Sequence, residues 1–184
     1  MVRYRPLGDI ILQDDSHVYK IFEKEQSFNS EYNLYLLMKS LQEEKGVPLV
    51  PDFEVIESSS LSIRNRGSRW DKALKLKRHD VIPYLGITVE DKQKLRQKLD
   101  ILEEAGIYLL DLGTDNLVRD GDDELLFIDL QDSLYPNCET IPGHRNLVRI
   151  YSGNGDYKFI IENHLEALKA LHIRQLEHSV GWEV

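Results

Sequence analysis

The sequence predicts an α+β fold in two unequal parts, a small β-rich N-terminal part and a helical C-terminal one. Three observations lead there. Short runs rich in β-branched and aromatic residues, separated by turn residues, fill much of positions 1–78 around a single helical stretch. A capped amphipathic helix follows, from Thr88 to about Ala105. Next, residues 108–132, YLLDLGTDNLVRDGDDELLFIDLQD, place a polar loop before two apolar runs that flank an Asp-Gly turn, a strong hairpin signal. At 184 residues, 41% hydrophobic and 30% charged, the chain suits one folded domain rather than a disordered segment.

Composition narrows the partners. The net charge of −9 argues against general nucleic-acid binding, which rests on Lys and Arg neutralising phosphates. No apolar run approaches the roughly 18 residues of a membrane span, and MVRYRPLGDI lacks the apolar stretch of a secretory leader. Cys138, the one cysteine, rules out an internal disulfide or a Cys-based zinc site, and fits a reducing compartment such as the cytoplasm.

In chain order, residues 2–12 read as extended, broken at Pro6-Leu7-Gly8. The turn Gln13–Ser16 then leads into the strand His17–Phe22. Alternation puts Val18, Lys20 and Phe22 on one face, an unusual place for a cation. A lysine there either snorkels to solvent or finds a partner. Residues 27–45 are expected to be helical, with Ser27, Asn29 and Ser30 as N-cap candidates. Leu34, Leu37, Met38 and Leu41 form its stripe, and Gly46 ends it. Glu31 shares that stripe, where an acid in the first turns complements the helix dipole, while Glu23 and Glu25 fall at the strand's end.

Val47–Pro51 is a linker, because each proline keeps its predecessor out of the helical region. Strands are expected at 52–57 and 61–63 around the turn Ser58–Ser60, and a half-buried strand at Ala73–Arg78. Its basic run, Lys72–Arg78, reads as a solvated face. His79–Pro83 connects the two parts. In the helix from Thr88, Leu95, Leu99 and Leu102 form the stripe and Gly106 the stop. Ile107–Leu110 is a short buried run that anchors Asp111. The hairpin then carries Asp111 and Asn116 in on one side and delivers Asp129 at the end of the other. That gathers the hard oxygen ligands and the carboxylate that phosphoryl transfer uses. Gln131–Arg145 reads as irregular and contains Ser133, Tyr135 and Thr140. A final helix is expected at about 158–179, with Ile161, Leu165, Leu168 and Leu176 in its core face. Its His164, His172 and His178 are spaced by eight and six and do not share a metal-binding face.

The spacing Asp111-x4-Asn116-x12-Asp129 resembles the catalytic and metal-binding loops of the protein-kinase-like superfamily, where HRDxxxxN precedes a hairpin ending in DFG. VYKIF, residues 18–22, is similar to the VAIK strand of that family. Several letters depart from the pattern. Leu109 and Leu110 stand for the His and Arg of HRD, Gly113 for the lysine usual in Ser/Thr kinases, and Leu130-Gln131 for the last two residues of DFG. Gly8 is the only glycine in the first 45 residues, so no GxGxxG can be written, and either Leu7–Asp9 or Gln13–Ser16 would have to cover the phosphates. By order of elements the likeness spans about residues 5–132 and is nearest to short bacterial kinases, effector kinases included, and small atypical kinases.

What the resemblance implies is a two-lobed protein-kinase-like fold in one minimal domain, 1–184. It would comprise an N-lobe (1–78), a hinge (79–83) and a truncated helical C-lobe (84–184). It implies ATP and Mg²⁺ as cofactors, with Lys20 on the α/β-phosphates and Glu31 holding Lys20. Asn116 and Asp129 would be metal ligands and Asp111 the catalytic base, while the hinge backbone, from His79 through Val81 to Ile82, would meet the adenine. The implied acceptor is a protein Ser/Thr hydroxyl or a small-molecule hydroxyl. The alternative is a pseudokinase, an interaction module on the same fold. An activating protein partner would be in keeping with the reduced C-lobe, and the implied location is the cytoplasm, or a host cytosol for a secreted effector.

Overall fold

A computed structural model of the chain describes residues 3–4, 9–61, 70–81, 88–109, 116–131 and 133–135. The fold is a mixed α and β one. Among the described residues it has a small antiparallel sheet, two shorter sheets and two α-helices. Strands β1 (Arg3–Tyr4), β2 (Ile10–Gln13), β3 (His17–Ile21), β4 (Phe53–Glu57) and β5 (Lys72–Lys77) form the first sheet, in the order β1-β2-β3-β5-β4. At the β2–β3 turn one Asp14 carboxylate oxygen accepts the Ser16 and His17 amides at 2.8 and 2.7 Å, an Asx-type closure.

Helix α1 (Glu25–Lys45) covers one face of this sheet, burying Phe28, Leu34, Tyr35, Met38 and Leu41 with Phe22, Leu74 and Leu76. On the other face Ile10, Ile21 and Ala73 make a smaller cluster. The strand expected to be half-buried is so for most of its length: Leu74 and Leu76 are buried toward α1, while on the other face Ala73 is buried, Lys75 only partly so and Lys77 exposed. α1 starts two residues before the expected position. Its N-cap is Lys24, with no side-chain cap bond, so Ser27, Asn29 and Ser30 lie inside the helix and Glu25 belongs to it rather than to the strand's end. Tertiary packing moved the boundary. Phe28 meets Phe22 edge-on at 5.5 Å, and helical winding from Lys24 carries it there, with the Phe28 amide donating to the Lys24 carbonyl at 3.2 Å.

The far end of α1 follows the sequence reading. Gly46 adopts φ 65° and donates its amide to the Gln42 carbonyl at 2.9 Å, a left-handed stop that suits glycine. The Gln42 side chain accepts the amides of Leu49 and Val50 in the linker, and the Leu49 carbonyl accepts the Phe127 amide at 2.8 Å.

Helix α2 (Val89–Glu104) begins with a complete capping box. The Asp91 amide donates to Thr88 Oγ1 and the Thr88 amide to Asp91 Oδ2. Leu95, Leu99 and Leu102 join the same core cluster as the sheet residues and α1. Beyond Gly106, strand β7 (Tyr108–Leu109) is buried and pairs with β10 (Ser133–Leu134). That pairing corrects the expectation of an irregular start to 131–145. A buried strand needs partners for its main chain, and β10 supplies them. Strands β6 (Asp80–Val81), β8 (Leu117–Arg119) and β9 (Leu125–Phe127) form a third sheet in the order β6-β8-β9, so the connection at 80–81 is itself a strand on the hairpin's edge. The hairpin is the one expected, with its turn at 120–124.

Expected features outside the described residues are the strand at 61–63 beyond Leu61, the hinge residues Ile82 and Pro83, the segment from 136 onward with Thr140, and the helix at 158–179 with its histidines. Among the described residues no helix is long and apolar enough to cross a membrane.

Ion pairs fasten α2 to the hairpin. Arg119 makes a bidentate contact with Asp91 at 2.9 and 3.1 Å, and buried Lys98 reaches Glu124 at 2.9 Å and the Leu125 carbonyl at 2.6 Å. Burial pushes the Asp91 carboxyl up, but Arg119 and the Thr88 amide outweigh it and bring its pKa down from 3.8 to about 2. A depressed carboxyl contributes stability above its unfolded pKa, and that stability is lost as pH falls through the folded value. Asp91→Asn is expected to lower unfolding free energy by about 2 kcal/mol at neutral pH. It should also flatten the loss of stability between about pH 4 and about pH 2, as read by urea denaturation across that range. An acid limb identical to the wild type would contradict the assignment.

Candidate active site

Three elements converge on one buried ammonium. Lys20 sits on β3 with its side chain on the α1 face, as alternation with Phe22 requires; its Nζ lies 5.3 Å from the Phe22 ring centroid. Its residue is only 5% exposed, so the charge needs partners. Glu31, on α1 and 1% exposed, accepts from Lys20 at 2.6 Å. Asp129, two residues past the end of β9, accepts at 2.5 Å. A third carboxylate, Asp9, stands 4.0 Å from Nζ while its other oxygen caps the Glu23 amide.

The electrostatics follow from burial and this pairing. Burial alone would lower the Lys20 pKa, but Glu31 and Asp129 more than offset it and the net shift is upward. For Glu31, burial raises the carboxyl from 4.5 to about 7 against the pull of Lys20, with Asp129 adding to the rise.

Asn116 immediately precedes β8, is 8% exposed, and its carbonyl accepts the Ile128 amide at 3.0 Å. That bond sets Asn116 beside the chain leading to Asp129, at the open end of the hairpin. Asp129 has φ 55°, a left-handed conformation that Asp tolerates better than most residues. Its side chain is 36% exposed, so the carboxylate that meets Lys20 also faces solvent. Leu130, where the family pattern has phenylalanine, is buried in the main core with Leu109.

Of the residues singled out in the sequence, Lys20, Glu31 and Asp129 come into direct contact and Asn116 joins them at the hairpin mouth. His79 and Val81 lie on the connection, where Val81 pairs with Val118. Asp111 lies outside the described residues. Ser133 and Tyr135, read as part of an irregular segment, are buried, and the Tyr135 hydroxyl donates to the Ser30 carbonyl of α1 at 2.9 Å. Sequence reasoning named Asp9 only as the end of the stretch Leu7–Asp9 and missed its place beside Lys20. Its signal is the β2–β3 register, which pairs Ile10 with Ile21 and so sets Asp9 opposite Phe22. Among the described residues no group of three or more His, Cys, Asp or Glu side chains is arranged to hold a metal by itself.

No protein-family model matches the chain, and neither does any curated protein. Among solved structures, the co-crystal structure of WbdD and the kinase inhibitor LY294002 aligns with a TM-score of 0.47 and 14% identity. The alignment covers 96% of this chain and 45% of that one, so this chain spans less than half the length of that protein.

The cluster makes a stability prediction of its own. Lys20→Met leaves Glu31 and Asp129 without their cation, and is expected to lower unfolding free energy by about 3–5 kcal/mol. Adding Glu31→Leu should recover part of the loss, because an apolar pair replaces a stranded carboxylate. Denaturant titration of the two variants reads both effects; a double variant less stable than Lys20→Met would argue against the buried pair.

Proposed function

We propose that the chain is an ATP- and Mg²⁺-dependent phosphotransferase with a two-lobed, protein-kinase-like architecture. The observation that carries this reading is the Lys20–Glu31–Asp129 cluster. Glu31 fixes the ammonium of Lys20, which is then oriented toward the α/β-phosphates of the nucleotide. Asn116 and Asp129 would hold Mg²⁺. They suit a hard cation, offering an amide and a carboxylate at one hairpin end, with the carboxylate partly open to solvent. Bound there, the ion would neutralise charge on the transferring phosphoryl group. Main-chain groups from His79 through Val81 to Ile82 would meet the adenine.

In the transfer step the acceptor hydroxyl oxygen forms a bond to the γ-phosphorus and the bond from that phosphorus to the β–γ bridging oxygen breaks. ADP leaves, and the hydroxyl proton passes to Asp111. A protein Ser or Thr is the proposed acceptor, with a small-molecule hydroxyl as the variant that Gly113 favours. An activating protein partner and a cytoplasmic location belong to the same proposal. The position of Asp9 beside Lys20 supports Leu7–Asp9 over Gln13–Ser16 as the stretch nearest the phosphates.

A second reading, an interaction module without transfer, draws on the same cluster. Three carboxylates stand within 4.0 Å of the Lys20 ammonium, which leaves little positive potential for phosphate. Thermal unfolding with ATP, with Mg²⁺ and with both separates the two. A site occupied at about 100 times Kd gains about 2.7 kcal/mol. Transfer predicts a stabilisation that needs both ligands and is lost in Asp129→Ala. Asp111→Ala should keep that stabilisation but lose about 100-fold or more in phosphate incorporation. An unshifted wild-type protein would favour the interaction module.

A further inference from the structure

Tyr135 is a core aromatic with a hydroxyl that its packing does not need. The residue is buried in the main core, where phenylalanine would fill the same space. Its hydroxyl nevertheless donates to the Ser30 carbonyl of α1 at 2.9 Å. Within a helix that runs from Glu25 to Lys45 that carbonyl already serves the Leu34 amide, so the hydroxyl takes its second lone pair. The bond is therefore a cross-link between two elements rather than the rescue of a stranded carbonyl.

Each end of this cross-link has a definite place. Tyr135 directly follows β10, whose Leu134 pairs with Tyr108 of β7, so its main chain is anchored. Ser30 directly precedes Glu31, whose carboxylate meets Lys20 at 2.6 Å. That meeting uses one oxygen, because Glu31 Oε1 has no hydrogen-bond partner among the described residues. A one-point contact is sensitive to the setting of the helix. A slide of α1 by about 1 Å away from the strand would take it out of hydrogen-bonding distance. On the flank where Tyr135 meets it, α1 borders an open cleft of about 480 Å³, lined by Lys24, Asn29, Asn33 and Tyr135 among others. Close-packed side chains do not fix the turn from that side, and the hydroxyl does.

We propose that Tyr135 is a positioning residue. Its bond to the Ser30 carbonyl fixes the turn of α1 that carries Glu31, and through Glu31 it sets the place of the Lys20 ammonium. The cross-link is a property of the fold and needs no nucleotide; only its consequence for ATP rests on the phosphotransferase reading.

The test is Tyr135→Phe in the full chain, which keeps the ring in the core and removes only the hydroxyl. The primary readout is water exchange of the Lys20 ammonium protons, followed by NMR. Buried and held by Glu31 and Asp129, they are expected to exchange about tenfold faster or more in the variant. The amides of Leu99 in α2 and of Phe127, which is held by the Leu49 carbonyl, should keep their protection. Unchanged exchange at Lys20 would overturn the proposal. So would a uniform rise that included Leu99 and Phe127, the mark of a merely structural role. On the same samples Mg²⁺-dependent ATP affinity should fall several-fold, and an affinity equal to the wild type's would overturn the role in the site. A wild-type protein that binds no ATP with Mg²⁺ would sink the phosphotransferase reading and leave the ammonium exchange to decide the role of Tyr135.

Discussion

A buried ammonium sets the terms for the rest of the molecule. Removing a lysine charge from water carries a penalty of several kcal/mol unless carboxylates meet it at close range. Lys20 is almost wholly buried on the inner face of the sheet, and its partners come from an adjoining helix and from a hairpin more than a hundred residues further on. The register of β3 against β5, the rotation of α1 about its axis and the exit of the chain from β9 must all agree for that meeting to occur. One charge thereby ties together parts of the chain that apolar packing alone would hold with less angular precision.

That arrangement is a weak device for stability. Well-packed apolar side chains of similar volume often replace a buried ion pair without loss. Exposure rises along the cluster: Glu31 is sealed, Lys20 nearly so, and Asp129 opens to solvent. The clamp between α2 and the hairpin, through Arg119 with Asp91 and Lys98 with Glu124, steadies the strands that deliver Asn116 and Asp129.

Much of this was legible in the sequence where the signal is local. Lys20 stood out as a cation on an apolar face, Glu31 as an acid on an apolar helix stripe, and the hairpin by its Asp-Gly turn. The Thr88–Asp91 box located the second helix to the residue. What stayed hidden depends on partners distant in the chain. The start of α1 follows from the Phe22–Phe28 contact, and no cap residue announces it. Strand β10 is too short to show a period and exists because β7 needs a neighbour. The place of Asp9 beside Lys20 becomes visible only through hairpin register.

The fastening of α1 has a mechanical consequence. Its last turn is bonded through Gln42 to the linker, whose Leu49 carbonyl in turn holds β9; its middle is pinned by Glu31 to Lys20 and by the Ser30 carbonyl to Tyr135. A helix stitched at several points along its length does not swing as a hinged arm, because any large rotation would break buried bonds at more than one place. Helix, linker and hairpin are thereby joined by bonds at both ends of the path that leads to Asp129.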